Sequence, residues 1–337
     1  MFKNIINSIL VPSVLGVCIS SGVYAADFNI KISHSSPATN DRLEKSLATF
    51  KENVERRTDG AISISTYPAS QLGGEREQLE GVQFGSIEMA VLAGPIPNIY
   101  PEAMVFDLPY LFKNRDVAYK VMDGEFGDKI LDGMLEKTGI RGLAWGENGF
   151  RHFVNDLRPI KTPEDLKGLK IRTMENQAHI AMVNELEASA TPMAFSELYS
   201  SLQQGVIDGM ENPISLIESM RFYEVQKHLT LDGHVYGPFT FIVNNRFFER
   251  LPEDYQQVII EESKNWSDVQ RQLNIQQEDK GIEVLKEKGM QVEYLSDEVK
   301  GDFREATKSV YDTFRDQLGE KLIDELMDAV AAAESDN

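Results

Sequence analysis

Arg172 is the side chain whose type and position best suit the binding of an organic anion. It lies near the end of a predicted strand, Leu169–Met174, and points away from the face that Leu169, Ile171 and Thr173 share. Open α/β sheets bind ligands beyond the carboxyl ends of their strands. A planar guanidinium can hold a carboxylate through two parallel hydrogen bonds. Arg172 is therefore a candidate carboxylate ligand, and a structural or surface arginine is the alternative.

Arg151 and two asparagines supply further polar groups near predicted strands. Asn148 and Arg151 belong to a segment with glycines at positions 146 and 149, where the backbone can approach a ligand or a second domain closely. Asn212 follows a predicted strand, Val206–Met210, and its amide can both donate and accept hydrogen bonds. A solvated arginine and two turn asparagines are the alternatives.

Three more residues are weaker candidates for the same site. Glu75 begins a predicted helix after Gly73-Gly74, so it could accept hydroxyl groups of a sugar or simply interact favourably with the helix dipole. His34 ends the first predicted strand and is either a ligand or a loop residue. Tyr236 is either a wall of a pocket or part of the core.

The sequence contains none of the common signatures of hydrolysis, nucleotide binding or hydride transfer. There is no P-loop, HExxH, GxGxxG or GxSxG pattern, and the five histidines lack metal-ligand spacing. The single cysteine, Cys18, excludes a disulfide framework and a cysteine-based zinc site. We therefore predict no cofactor and no metal.

Charge excludes two classes of partner. Asp and Glu total 54 against 34 Lys and Arg, a net charge of -20. Nucleic acids and anionic lipid surfaces attract basic faces. We therefore predict a protein that binds neither.

Residues 1–25 have the pattern of a secretory signal peptide. Lys3 precedes an apolar stretch, and Val23-Tyr24-Ala25 suits cleavage after Ala25. A membrane anchor is disfavoured because Pro12 and several serines interrupt the stretch and no second long apolar run follows. Lipidation at Cys18 is a minor alternative. The prediction is a soluble protein exported to the periplasm.

Alternating apolar patterns predict an α/β fold with many parallel strands. Residues 28–92 predict β-α-β-α-β, and a capped helix is predicted to start at Thr162. The segment from Pro252 to about Lys288 predicts a helix of roughly 55 Å, which would bridge two domains or kink near Gly281. The other predicted strands and helices are Ile140–Trp145, His152–Val154, Asn176–Leu186, Pro192–Phe195 (extended), Ser196–Gln204, a helix starting at Ser296, and a helical tail from Gly319.

One run of residues, together with three shorter motifs, resembles a known protein family, and the combination and order are highly specific. Leu169–Arg172, Pro192, Glu197, Tyr199, Leu202-Gln203, Gly205-Val206, Asp208-Gly209 and Glu211-Asn212-Pro213 occur together in this order. With Gln71–Glu77, Phe106–Tyr110 and Asn148–Arg151, they resemble the DctP-type solute-binding proteins of tripartite ATP-independent periplasmic (TRAP) transporters. The resemblance covers essentially the whole chain after residue 25.

The resemblance implies a two-domain periplasmic binding protein of type II-like fold, with a hinge, a central cleft and a long helix spanning both domains. The implied domain I is 26–149 plus 238–277, and domain II is 150–237 plus 278–337. Arg172 matches the main carboxylate-binding arginine, Arg151 the second arginine and Asn212 the cleft asparagine. Glu75 and His34 match positions that often line the site.

The implied ligand is a carboxylated solute captured by domain closure and passed to the small and large membrane subunits of a permease. Asn148 and Asn176 add hydroxyl partners to Glu75 and Asn212, which favours a sugar acid such as a uronate or aldonate. A C4-dicarboxylate or a keto acid is the alternative within the family. We expect a monomer without enzymatic activity. Two alternatives lie outside transport: an exported enzyme that uses Glu75 with Glu147 or Glu197 on acidic sugars, and a ligand sensor for a membrane kinase.

Overall fold

A computed structural model describes residues 26–335, so the predicted signal peptide and Cys18 lie outside the described residues. The described chain forms nine strands and twelve α-helices. The strands are β1 (Phe28–Ser33), β2 (Ile62–Tyr67), β3 (Met89–Leu92), β4 (Ile140–Asn155), β5 (Lys170–Thr173), β6 (Ser189–Pro192), β7 (Gly209–Pro213), β8 (His228–Asn244) and β9 (Gln291–Tyr294). The helices are α1 (Arg42–Arg57), α2 (Glu75–Phe84), α3 (Arg115–Met122), α4 (Glu125–Thr138), α5 (Gln177–Glu185), α6 (Phe195–Gln203), α7 (Ile214–Ser219), α8 (Asn245–Phe248), α9 (Glu253–Glu287), α10 (Asp297–Ala306), α11 (Ser309–Leu318) and α12 (Glu320–Ser335).

All nine strands belong to one mixed sheet. Its order is β2-β1-β3-β8-β4-β7-β5-β6, and β9 pairs with β8. The pairs β1–β2, β1–β3, β5–β6 and β5–β7 are parallel, whereas β8 runs antiparallel to β3 and β4. The predicted parallel strands are therefore present, and two long antiparallel strands join them.

The strands β4 and β8 connect the two halves of the sheet. The first part of β4 pairs with the last part of β8 beside β3, and the end of β4 pairs with β7. The prediction of two separate strands, Ile140–Trp145 and His152–Val154, is wrong because β4 is continuous. Three register shifts, one of them between Glu147 and Gly149, interrupt the period-two pattern without breaking the strand.

Helix α1 shows how local signals produced correct predictions. Asp41 caps the helix by accepting a hydrogen bond from the Leu43 backbone nitrogen at 2.8 Å. Leu43, Leu47 and Phe50 are buried, which fits the predicted apolar face. The helix therefore packs onto the strands β1 and β2 at the first edge of the sheet.

Helix α9 is one uninterrupted helix of 35 residues, as predicted from the sequence. Its first half packs against α1 and β4, and its second half packs against α7 and β9. Gly281 does not end the helix. A Cβ atom at this position would lie 2.6 Å from Cγ2 of Ile214, so glycine allows α9 to approach α7 closely.

Three sequence-based boundaries are wrong. The strand predicted at Val206–Met210 is instead β7, three residues later, and Val206 is exposed. The extended segment predicted at Pro192–Phe195 is shifted, because β6 ends at Pro192 and α6 starts at Phe195. The helix predicted after Thr162 is only a 3-10 helix, Pro163–Leu166, although its capping box is present. Gly168 follows with a positive φ and directs the chain into β5.

Buried apolar side chains form three clusters. One lies between α1, the first half of α9 and the strands β1 to β3, and another lies between α6, α7, β7 and the end of α9. The largest cluster contains α3 to α5 and α10 to α12. In this cluster α12 packs against α3 and α4, whereas α11 packs against α5. The C-terminal helices therefore contact elements of both sequence-predicted domains. Across residues 26–335, none of the helices is long and apolar enough to span a bilayer.

Candidate functional site

A cavity with about 40 Å³ of space accessible to water lies between the two halves of the sheet. One wall comes from the segments after β1 and β3 and from the start of α2. The opposite wall comes from the ends of β5 and β7 and from the β6–α6 connection. Asn148 and Arg151 of β4 lie between the walls. The lining residues are Ser35, Ser36, Glu75, Ala93, Gly94, Pro95, Asn148, Arg151, Arg172, Met174, Glu175, Met193, Ala194, Phe195, Asn212, Leu216 and Phe239.

Arg172 is anchored on one side only. Its Nε and Nη2 atoms donate hydrogen bonds to the Met193 carbonyl at 3.1 and 2.8 Å, and its guanidinium lies 5.9 Å from the centre of the Phe195 ring. Nη1 makes no hydrogen bond with any described residue. Burial lowers the pKa of Arg172 to about 10, so the guanidinium still carries its charge near neutral pH. The cavity therefore contains a fixed cation with free N–H donors.

Arg151 is held by Glu211 behind the cavity. Nε and Nη2 of Arg151 donate to the Glu211 carboxylate, and Nη2 also reaches Oδ1 of Asn212 at 3.2 Å. Nη1 is buried and has no hydrogen-bond partner within the described part of the chain. Because an unpartnered buried donor is costly, Nη1 is a candidate donor to a ligand in the cavity.

Glu211 belongs to a buried network that sequence reasoning missed. Nδ1 of His179 and Nε2 of His234 lie 3.4 and 3.3 Å from its carboxylate. Burial alone would raise the pKa of Glu211, but Arg151 and His179 hold it well below its ordinary value. Burial would lower the pKa of His234, but Asp232, 2.6 Å from Nδ1, raises it to about 9. The network therefore holds Arg151 in one orientation.

Glu75 lines the cavity, and one of its two carboxylate oxygens is held by backbone N–H groups. Its Oε2 accepts hydrogen bonds from the backbone nitrogens of Ala93 at 3.3 Å and Gly94 at 3.1 Å. Burial raises the pKa of Glu75, against the lowering effects of these two donors and of the charges on Arg172 and Arg151. Oε1 makes no hydrogen bond to another described side chain or backbone group. It is thus available to accept one from a ligand.

The two asparagines are oriented by arginines. The backbone oxygen and Oδ1 of Asn148 accept hydrogen bonds from Nη2 of Arg42 at 2.9 and 3.0 Å. Oδ1 of Asn212 accepts from Arg151, and its Nδ2 lies 3.2 Å from the weakly accepting sulfur of Met210. Both side chains line the cavity, and Asn212 has one amide N–H left for a ligand after its contact with Met210.

Three sequence-predicted residues do not line the cavity. His34 is fully buried, and its Nε2 lies 2.7 Å from Oε2 of Glu44. Asn176 caps α5 and donates to Asp107 at 2.8 Å. Tyr236 packs among aromatic rings, including Phe112 and Phe150. The structure places these three side chains in the core, beside the site or behind it.

Several lining residues were missed by sequence reasoning. Ser35 and Ser36 directly follow His34, so the predicted position was displaced by one or two residues. Glu175 follows β5 at the mouth of the cavity. The apolar lining residues Met174, Met193, Leu216 and Phe239 give no chemical signal in the sequence.

The carboxylate pair of an enzyme is not assembled. Oε1 of Glu147 accepts from Asn274 at 2.9 Å, and its Oε2 accepts from the Tyr119 hydroxyl, so Glu147 faces α9 and α3. Glu197 is exposed on α6. Neither carboxylate lines the cavity with Glu75. Between residues 26 and 335 there is also no cluster of three or more His, Cys, Asp or Glu side chains suited to a metal ion.

A family model described as bacterial extracellular solute-binding protein, family 7 (DctP), matches residues 32–317. This chain belongs to that family. The family's members are periplasmic solute-binding proteins of TRAP transport, and the mixed α/β architecture is their two-domain, type II-like fold. The fold and the transport class that the sequence predicted are therefore confirmed.

Three similar proteins indicate which solutes its relatives bind. The C4-dicarboxylate-binding periplasmic protein DctP of Rhodobacter capsulatus is 34% identical over 98% of both chains. A TRAP periplasmic solute-binding protein from Polaromonas sp. JS666, bound to D-erythronate, has a TM-score of 0.85 and 39% identity over 89% of this chain and 98% of its own. The sugar acid binding protein DctPAm from Advenella mimigardefordensis, in complex with galactonate, has a TM-score of 0.88 and 34% identity over 90% and 98%.

Proposed function

We propose that this protein captures a sugar acid, such as an aldonate or uronate, through its carboxylate. The observation that carries the proposal is that Arg172 and Arg151 both line one cavity. Within residues 26–335 the Nη1 atom of each guanidinium makes no hydrogen bond. The amides of Asn148 and Asn212 then bind the carboxylate or a neighbouring hydroxyl. D-erythronate and galactonate in two similar structures support this choice. The dicarboxylate named for the Rhodobacter relative, or a keto acid, is the alternative.

The proposed capture uses closure of two domains. We infer the hinge between residues 149 and 150 and between 237 and 238, where β4 and β8 pair, and near 277–278 in α9. Domain I is then 26–149 plus 238–277 together with α12 (Glu320–Ser335), and domain II is 150–237 plus 278–319. Because α12 packs against α3 and α4, we place that helix with domain I during the movement. A ligand that binds both domains stabilises the closed state by its differential affinity.

The proposed cellular role follows from the family. Residues 1–25 direct export and are cleaved after Ala25, and the mature protein works in the periplasm as a monomer. It delivers its solute to the small and large membrane subunits of a TRAP permease. It makes and breaks no covalent bond, requires no cofactor, and neither inserts into the membrane nor binds nucleic acid. A sensor for a membrane kinase is the second role compatible with the same ligand site.

A thermal-shift screen of the mature protein tests the ligand class. The panel contains D-erythronate, D-galactonate, uronates, succinate, keto acids and sialic acid. A ligand that binds only the folded state raises the free energy of unfolding by about 2.7 kcal/mol at a hundredfold excess over Kd, and the melting temperature rises as a result. A shift with aldonates or uronates supports the proposal. A shift only with succinate or keto acids contradicts the sugar-acid assignment. Mass spectrometry of solute released on denaturation identifies any ligand already bound.

A further inference from the structure

Almost every buried charge around the cavity already has an oppositely charged neighbour. Arg151 pairs with Glu211, and Arg42 lies 3.1 Å from Asp41. His234 and His179 lie 2.6 and 3.3 Å from the carboxylates of Asp232 and Asp107. Among the charged cavity-lining residues, Arg172, Glu75 and Glu175 have no such direct counter-ion in the described chain. Arg172 can therefore balance one ligand carboxylate, and Glu75 opposes any further negative charge in the cavity.

Glu75 is fixed where it can discriminate between ligands. Its Oε2 is held by the backbone nitrogens of Ala93 and Gly94, so the carboxylate cannot turn away without losing both hydrogen bonds. It is close enough for the charges of Arg172 and Arg151 to affect its pKa. Glu175 adds a second carboxylate at the mouth of the cavity.

We propose that Glu75 makes this site selective for acids that carry one carboxylate and hydroxyl groups, and that it rejects dicarboxylates of the same length. This inference rests on the proposed function, because it requires that Arg172 binds the ligand carboxylate. A hydroxyl at the other end of the ligand donates a hydrogen bond to Oε1 of Glu75. A second carboxylate at that end has no proton to donate and meets the like charge of Glu75.

The half-buried position of Glu75 strengthens the repulsion relative to bulk water. Interactions between charges increase as the effective dielectric constant falls, and Glu75 is a half-buried side chain between the two walls of the cavity. The walls meet at the mouth of the cavity. A Cβ atom at Gly94 would lie 3.2 Å from Met174, and Nδ2 of Asn98 donates to the Glu175 carbonyl at 3.1 Å. While the first carboxylate of a short ligand binds Arg172, we therefore expect the second to lie between these walls, near Glu75.

Calorimetric titration with two four-carbon acids tests the proposal. D-erythronate carries one carboxylate and hydroxyl groups, and succinate carries two carboxylates. We expect the mature protein to bind erythronate at least about tenfold more tightly than succinate, as for a charge-assisted hydrogen bond. Glu75→Gln should reduce this preference by about tenfold or more, since the amide no longer repels a carboxylate. The matched control is Glu77→Gln, an exposed position two residues later on α2, and should preserve it.

The pH dependence gives a second readout. Succinate binding by the wild-type protein should strengthen as the pH falls, because protonated Glu75 no longer repels the second carboxylate. After correction for protonation of succinate itself, this increase in affinity should be absent in Glu75→Gln. Equal affinities for the two acids, or a preference unchanged by Glu75→Gln, would overturn the proposal.

Arg172→Ala separates this inference from the proposed function. If Arg172→Ala abolishes binding while Glu75→Gln leaves the preference unchanged, carboxylate capture stands and only the role of Glu75 fails. If Arg172→Ala leaves the affinities unchanged, both the proposed function and this inference fail. Absence of binding of either acid by wild-type protein freed of co-purified solute also contradicts the inference.

Discussion

Replacement of Glu211 by glutamine tests the buried network that holds Arg151. Glu211 has no exposed surface, and it accepts hydrogen bonds from Nε and Nη2 of Arg151 while His179 and His234 lie within 3.4 Å of its carboxylate. Glutamine keeps the shape but removes the charge, so the guanidinium stays buried without its counter-ion. Removing one partner of a buried ion pair costs about 3–5 kcal/mol. We expect the free energy of unfolding to fall by about 3 kcal/mol or more.

The pH dependence of this loss has a definite sign. Arg151 and His179 overcome the effect of burial and hold the pKa of Glu211 well below 4.5, so its contribution is present above pH 4.5 and lost as the pH falls. Asp232 overcomes the effect of burial on His234 and raises its pKa from 6.5 to about 9, so its contribution is present below pH 6.5 and lost as the pH rises through 9. The difference between wild type and Glu211→Gln should therefore be largest between pH 4.5 and pH 6.5.

Urea unfolding followed by circular dichroism measures the difference. The matched control is Glu197→Gln, an exposed glutamate on α6 whose replacement removes the same charge without burying an unpaired partner. If Glu211→Gln lies within about 1 kcal/mol of Glu197→Gln across the pH range, the buried network does not stabilise the protein as argued.

Three other substitutions separate packing, titration and binding. Gly281→Ala should reduce stability by about 1–3 kcal/mol in urea unfolding, because its Cβ would lie 2.6 Å from Cγ2 of Ile214. The same substitution should cost less in an Ile214→Ala background, where the clash is absent. An equal cost in both backgrounds would contradict the close approach. Burial and the neighbouring Glu147 raise the pKa of Glu278 from 4.5 to about 7, so the melting temperature should fall as the pH rises from 4.5 to 7. Glu278→Gln should reduce this fall, and an unchanged pH profile would argue against the shift. His34→Ala should lower the melting temperature without changing the solute Kd, because His34 pairs with Glu44 outside the cavity, and a changed Kd would place it in the site.

Site residues could be predicted from the sequence where a short local pattern fixes the position of the side chain on its strand or helix. Arg172 follows from a short strand with a clear face, and Glu75 follows from a helix start after two glycines. Both line the cavity in the structure. The long helix α9 could also be predicted from the sequence, because proline occurs only before it and apolar residues recur along one side.

Long-range partners were beyond the reach of sequence patterns. Glu211 lies 60 residues from Arg151 along the chain, and the pairing register of β4 and β7 brings them together. The register shifts in β4 also depend on pairing with β8, so the period-two pattern suggested a break where the strand continues. The prediction of His34 missed the cavity by one or two residues, since its neighbours Ser35 and Ser36 line it instead. The sequence pattern locates the end of β1 but does not show which side chain faces the cavity.

Capture of a solute carboxylate by Arg172 is the central claim, and one titration tests it most directly. The measurement is calorimetric titration of the acid that gives the largest thermal shift, comparing wild type with Arg172→Ala and with Arg56→Ala, an exposed arginine on α1. Loss of a charged hydrogen bond donor in a buried site costs about 3 kcal/mol or more, a weakening of at least about a hundredfold. We predict this loss for Arg172→Ala, with an unchanged far-ultraviolet spectrum, and wild-type affinity for Arg56→Ala. Equal affinity of Arg172→Ala and wild type would contradict the claim.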